Sequence, residues 1–269
     1  MIFIAGFFAL FVVFWLLFIP LGPLISRTLA LLGWKAASFR YKDYVPVVVL
    51  LAAGGLASAV AGNQFLDLAE LVHERSEVLQ RVDTDIHRWA EEQRSAGATL
   101  FFTAFTYLGS PVGLGLIVAG VAAGLAARGR YRWAIYLIAT SLAGALLVIE
   151  LKVLFSRARP DLAVALRTAQ GYSFPSGHAM GTTIVFGAIS YLILRAKKPW
   201  RVRAAGLAAA AAIIAAVSMS RVYLGVHWIS DIAAGLSAGT LWVVTATVAY
   251  ETSRRIRMIR ALRRGRAET

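Results

Sequence analysis

The chain has 269 residues, 59% hydrophobic and only 16% charged, with a mean hydropathy of +0.68. Soluble domains average roughly 45–50% apolar and about 25% charged, so a disordered chain is excluded and a soluble globule of this size could not hide so much apolar surface. The lack of cysteine excludes disulfides, thiolate catalysis and cysteine-bound zinc; the net charge of +14 fits either nucleic acid or basic loops on one side of a bilayer, depending on where the charges sit.

A membrane-spanning helix needs about 20 apolar residues. Residues 2–25 carry no charge and lack the basic flank and short apolar core of a signal peptide, so a retained span is expected there. Residues 45–61 are the second candidate, with Pro46 tolerated in the first turn. Residues 95–127 are also free of charge. As one helix they would be about 50 Å long, too long for one crossing. Gly109-Ser110-Pro111 predicts a break there, with a short re-entrant or interfacial piece before it and a span from about Pro111. Further spans are expected over residues 133–154, 179–194, 204–219 and 232–250, seven in all.

The charges sort by loop. Arg27, Lys35, Arg40 and Lys42 follow the first span, and Arg128, Arg130 and Arg132 the third. Arg195, Lys197, Lys198, Arg201 and Arg203 follow the fifth; Arg254, Arg255, Arg257, Arg260, Arg263, Arg264 and Arg266 follow the seventh. These segments alternate with the others, so they share one face, which the positive-inside rule makes cytoplasmic. Segment 62–98, on the other face, carries eight acids against four arginines. Charge therefore follows topology, and no nucleic-acid partner is expected. In segment 62–98, Phe65, Leu68 and Val72, then Leu79, Val82, Ile86 and Trp89, recur at three- and four-residue steps, predicting amphipathic helices in two pieces. They would lie on the outer membrane boundary, cap the bundle, or form a solvated hairpin with no part in substrate access; His73 and His87 are expected to be solvated there. The expected organisation is an N-terminal span and cytoplasmic loop (1–42), a membrane domain (43–251) and a basic cytoplasmic tail (252–269).

Three polar clusters lie on the face opposite the basic loops. Lys152, Arg159 and Arg221 are cations from different segments without an equal set of acids. Arginine's planar fork suits phosphate oxygens, and lysine adds a point charge; snorkelling is the ordinary alternative. Pro175-Ser176-Gly177-His178 opens a helix whose free amides could cradle an anion, with Ser176 as N-cap or as donor to that anion. A capped helix start would look the same. His227 and Asp231 are one turn apart, so the carboxylate could fix the imidazole tautomer and leave Nε2 free as nucleophile or base. A structural His–Asp pair or a cap is the alternative.

Together the clusters read Lys, six residues, Arg-Pro; Pro-Ser-Gly-His; Ser-Arg, five residues, His, three residues, Asp. This resembles the three-part signature of the type 2 phosphatidic acid phosphatase superfamily, matched at every position over a region from about Val82 to Tyr250. Asp83 to Trp89 and Thr106-Tyr107-Leu108-Gly109-Ser110 resemble the family's upstream region. The resemblance implies an all-α membrane protein with a six-helix phosphatase core, one extra N-terminal span and external amphipathic helices. It implies that His227 is the nucleophile forming a phosphohistidine, that Asp231 orients it, and that His178 protonates the leaving oxygen. Lys152, Arg159, Arg221, Ser176 and the Gly177 amide would bind the phosphoryl oxygens, with no metal and no other cofactor needed. The expected function is hydrolysis of a lipid phosphate or diphosphate from the outer leaflet by a multi-pass inner- or plasma-membrane enzyme with an outward-facing site. Undecaprenyl diphosphate is the first choice of substrate. Phosphatidylglycerophosphate or phosphatidic acid, and phosphotransfer through the same intermediate, are the alternatives. A transporter would instead place polar residues near the midplane. Glu150 could pair with a neighbouring span or tune the site, and Arg157 and Asp161, which flank the first motif, could cap or pair.

Overall fold

The computed structural model describes residues 45–160 and 165–267, and every regular element among them is a helix. In chain order these are α1 (Val45–His73), α2 (Glu77–Glu92), α3 (Ala96–Leu108), α4 (Pro111–Ala126), α5 (Tyr131–Phe155), α6 (Gly177–Arg195), α7 (Trp200–Tyr223) and α8 (Ile229–Ala267). The expected span at 2–25 and Asp161 lie outside the described residues. Helices α5 and α6 and most of α7 and α8 are long and apolar enough to cross a membrane, and α3 with α4 makes a fifth crossing if the bent pair is one span. One flank of α5 exposes Ile135, Leu142, Leu146, Ile149 and Val153 as a single apolar stripe. Water would penalise such a stripe, whereas lipid accepts it. Glu150 is exposed beside it.

The break expected at Gly109 is present: α3 and α4 meet at 56°. Ser110 caps α4, accepting from the Gly113 amide at 3.0 Å, and Pro111 takes the first helical position. Gly109 is required by close approach, since a Cβ there would lie 2.2 Å from Val217 Cγ1. The bend thereby seats the end of α3 against α7.

Two features of segment 62–98 differ from the sequence reading. The first amphipathic piece is not a separate helix: α1 runs through Phe65, Leu68 and Val72 to His73. Phe65 is buried between Phe155 and Phe174, with ring centroids 6.0 Å away in each case, and this anchors the extension. The second piece is α2, capped by Ser76, but it turns a different face inward. Val82 and Trp89 are exposed, while Asp83, Ile86 and Ala90 face the bundle. A buried ion pair at Asp83, described below, sets that orientation against the apolar periodicity.

Helix α6 is the centre of the bundle. It packs on α5, α7 and α8 and is buried around most of its circumference, as its apolar and small residues demand. The α6–α8 crossing is close because α8 presents Gly235 and Gly239 four residues apart. A Cβ at Gly239 would lie 2.8 Å from Thr183 Cβ and 2.9 Å from the Met180 carbonyl oxygen; one at Gly235 would lie 2.8 Å from the Ser176 carbonyl oxygen. Small residues at this spacing let helix backbones approach within a bilayer. At the far end of the same pair, buried Glu251 accepts from Tyr191 Oη at 2.7 Å, Arg254 Nε at 2.8 Å and Arg255 Nε at 2.9 Å. The bundle thus has two unlike ends. The basic connections around residues 128–132 and 195–203 and the basic run of α8 lie at one, and the starts of α6 and α8 lie at the other.

Gly239→Val should force α6 and α8 apart, at a cost of about 1–3 kcal/mol, and lower the thermal midpoint in detergent together with activity. Gly120→Ala, where a Cβ would meet nothing within 4 Å, should leave both unchanged. Equal midpoints for the two variants would show that the close crossing contributes nothing.

Candidate active site

Four helix ends converge on the site. Lys152 comes from the end of α5, Arg159 from the segment that follows it, and Ser176, Gly177 and His178 from the start of α6. Arg221 comes from the end of α7, His227 from the α7–α8 turn, and Asp231 from the first turn of α8. The α6–α8 glycine crossing sets the last two against the α6 start, where the Ser176 amide donates to the Asp231 carbonyl at 3.0 Å. Gly225, at φ +77, turns the chain out of α7 and delivers Val226 and His227 inward.

His227 and Asp231 are both buried, and Nδ1 of the ring lies 3.2 Å from Asp231 Oδ2. A carboxylate can only accept, so Nδ1 carries the proton and Nε2 keeps its lone pair. Nε2 in turn lies 3.2 Å from Nη1 of Arg159. The nitrogen that could attack therefore faces the cation that would hold the group attacked. Burial pushes His227 down to about 4. Asp231 pulls the other way, and Arg159 and Arg221 reinforce the fall. The ring is thus neutral at ordinary pH.

The cations form one group. Lys152 is electrostatically coupled to Arg159 and Arg221, His178 to all three and to His227, and Arg221 to Arg167 as well. Arg159 donates to the carbonyls of Gln170, Gly171, Tyr172 and Val226 over 2.8–3.2 Å, and Lys152 Nζ donates to the Tyr172 carbonyl at 2.5 Å. These neutral acceptors leave the positive charge uncompensated. Arg221 is buried and donates to Thr106 Oγ1 at 2.6 Å, while its Nε has no hydrogen-bond partner among the described residues. One buried and two half-buried cations with few anions form a receptor for a multiply charged anion. Ser176 acts as the N-cap of α6, its hydroxyl 3.4 Å from the Ala179 amide, which leaves the Gly177 and His178 amides at the helix start. A cavity of about 610 Å³ adjoins Arg157 and Arg159, lined also by Val72, His73, Gln80 and Thr84.

The sequence reading left several participants without a role. Arg157 is no flanking cap: Nη1 donates to Asp231 Oδ1 and Ser230 Oγ, each at 2.7 Å, and Nη2 to Asp83 Oδ2 at 2.7 Å. Thr106 supports Arg221, and Tyr107 takes a 2.7 Å hydrogen bond from Arg167 with its ring under the guanidinium. His87, expected in solvent, is largely covered. It lies 3.4 Å from Glu91 Oε1 and packs on Trp228 at 5.5 Å.

The helices and the cation-lined, histidine-bearing site define a multi-pass membrane protein equipped to act on a phosphate group. The PAP2 superfamily pattern matches residues 132–255. Phosphatidylglycerophosphatase B of Bacillus subtilis is 30% identical over 178 residues, 66% of this chain and 86% of that protein. Undecaprenyl-diphosphatase of Sulfolobus acidocaldarius is 38% identical over 88 residues, 33% of this chain and 38% of that one. The crystal structure of a transmembrane PAP2-type phosphatidylglycerolphosphate phosphatase from Bacillus subtilis superposes with a TM-score of 0.66 at 28% identity, covering 71% of this chain and 94% of that one. The chain belongs to the PAP2 superfamily. It is a membrane lipid phosphatase of that type, a hydrolase acting on phosphate esters.

Because the folded protein keeps His227 neutral while an unfolded histidine protonates near 6.5, acid should favour unfolding as pH falls from about 6.5 toward 4. This stability is complete above that window. Ring-nitrogen NMR of the ligand-free protein should find His227 protonated only near pH 4. A ring protonated at pH 6 would contradict the geometry.

Proposed function

We propose that the protein hydrolyses the terminal phosphate of a membrane lipid through a covalent phosphohistidine on His227, with undecaprenyl diphosphate as first substrate and undecaprenyl phosphate as product. The observation that carries this reading is the orientation of one ring: Nδ1 is tied to Asp231 and Nε2 is turned toward Arg159. A phosphate arriving at Arg159 would take over donors now spent on neutral carbonyls, and its phosphorus would stand in front of Nε2. Lys152, Arg159, Arg221 and the Gly177 amide stabilise the charge on its equatorial oxygens. The Nε2–P bond forms as the P–O bond to the leaving group breaks, and His178 supplies the proton that the leaving oxygen needs. Water then attacks the phosphohistidine, returns a proton to His178, and frees phosphate and His227. Ser176 contributes by capping and so orienting the α6 start. These cations supply the positive charge that a divalent metal supplies elsewhere, so the reaction is metal-independent.

Arg157 and Arg159 border a cavity with room for the part of a head group that is not transferred. The site end is opposite the basic connections, and the positive-inside rule turns it outward. The substrate would therefore come from the outer leaflet of a plasma or inner membrane. A second reading, phosphatidylglycerophosphate as substrate, is favoured by the Bacillus subtilis relative that matches across most of its length.

Purified protein should release phosphate from undecaprenyl diphosphate in detergent with a chelator present, roughly tenfold or more in kcat/KM above phosphatidylglycerophosphate. The reverse ranking would replace the first reading by the second, and no release from any lipid phosphate would overturn both. His178→Ala should slow a phosphomonoester such as phosphatidylglycerophosphate, which expels a lipid alcohol, by roughly 10²–10⁴-fold, and should slow undecaprenyl diphosphate or a nitrophenyl phosphate, with their better leaving groups, much less. Loss of activity in chelator, restored by a protein-bound divalent ion, would contradict metal independence.

A further inference from the structure

We propose that Asp83 of α2 and Arg157 are positioning residues that hold Asp231, and through it His227, for attack; this rests on the phosphohistidine reading above. The two residues lie 74 positions apart in sequence and meet in a closed ladder. Asp83 accepts from the Ser230 amide at 3.0 Å on one oxygen, and on the other from Ser230 Oγ at 2.6 Å and Arg157 Nη2 at 2.7 Å. Arg157 continues to Asp231 Oδ1, while Asp231 Oδ2 accepts from the Trp228 amide at 3.0 Å and from His227 Nδ1. Asp83 is 2% exposed and Asp231 0%, so neither carboxylate is relieved by water.

The order of the charges explains what the ladder does. Asp231 alone beside His227 would pull a proton onto the ring, and a protonated imidazole cannot attack phosphorus. A guanidinium on the other oxygen of Asp231 shares its negative charge, so the carboxylate orients the ring without protonating it. Arg157 in turn is held by a second anion, without which it would add to the half-buried positive charge of Lys152 and Arg159. Asp83 supplies it and fixes the guanidinium plane through a second hydrogen-bonded edge. Helix α2 is thereby part of the catalytic apparatus: its inner face carries Asp83 to the start of α8, and His87 packs on Trp228 one turn later.

The groups around His227 are Asp231 from α8 and Arg159 from the segment after α5, with Arg157 of that segment and Lys152 from α5 acting on Asp231. His178 from α6 and Arg221 from α7 complete them. Of these, Arg157 alone pairs with Asp231 on the oxygen that His227 does not use.

The test uses full-length protein in detergent micelles with undecaprenyl diphosphate and phosphatidylglycerophosphate as probes, following kcat/KM against pH and rapid-quench formation of the phosphoenzyme. Arg157→Gln should move the acid limb up by about one pH unit or more and slow adduct formation about 100-fold. Arg157→Lys keeps the charge but not the fork, so its limb should stay at the wild-type position while adduct formation still slows. Asp83→Asn leaves Arg157 to Asp231 alone, so its limb should not rise although the rate falls. If Arg157→Gln does not fold, the other two variants carry the test. An acid limb and an adduct rate unchanged in Arg157→Gln, or unchanged rates in both conservative variants, would overturn the ladder's role. A wild-type protein that forms no adduct would overturn the phosphohistidine reading itself, a result distinct from an adduct whose rate the variants do not change.

Discussion

The nucleophile we propose, His227, must keep a neutral ring, held in one tautomer and next to positive charge, and the pairings of the site meet those demands together. Burial keeps His227 neutral, but burial also forbids unpaired ions around it. Asp231 is needed for the tautomer, Arg157 for Asp231, and Asp83 for Arg157. The chain of pairings ends at Ser230 and the backbone of α8, where neutral donors close it. On the other side of the ring, Arg159 and Lys152 rest against carbonyl oxygens, partners that neutralise nothing. Charge is compensated on the Asp231 side of His227 and left over on the Arg159 side.

The fold supplies the precision this requires. The α6–α8 crossing is set by backbone contact across Gly235 and Gly239, so the α6 start and the α8 start are registered by rigid atoms and not by long side chains. The buried Glu251 cluster ties the far end of the same two helices and keeps the crossing from pivoting. The bend at Gly109 brings Thr106 under Arg221 and packs α3 against α7, and the aromatic trio Phe65, Phe155 and Phe174 fixes the segment that carries Arg157 and Arg159. The apolar outer faces of these helices cost nothing in lipid, so the polar work is confined to one end of the bundle.

Much of this was legible in the sequence because it is local. Apolar runs mark α5 to α8, Gly109-Ser110-Pro111 marks the bend, and His227 and Asp231 meet because they are one helical turn apart. Lys152, Arg159, the start of α6 and Arg221 come together as the motif order suggested. What was not legible depends on long-range pairing. Nothing near Asp83 announces a partner 74 residues away, and the apolar periodicity of α2 pointed to Val82 and Trp89, which face outward. The hydrogen bonds of Asp83 to Arg157 and Ser230 overrode that periodicity and left a valine and an indole exposed. His87 packs beside Trp228 although its charged surroundings predict a solvated ring, and α1 continues to His73 because Phe65 meets two ring partners that are distant in sequence.

The central claim is that His227 carries the phosphoryl group, and the most direct measurement is to find that group on the chain. Wild-type protein and the His227→Ala and His178→Ala variants would be mixed with radiolabelled substrate, quenched in alkali within milliseconds, and digested. The expected result is an acid-labile phosphoryl increment on the peptide containing His227 in the wild type, present but slower to form in His178→Ala, and absent from His227→Ala. Phosphate on His178, or an adduct that persists in His227→Ala, would contradict it.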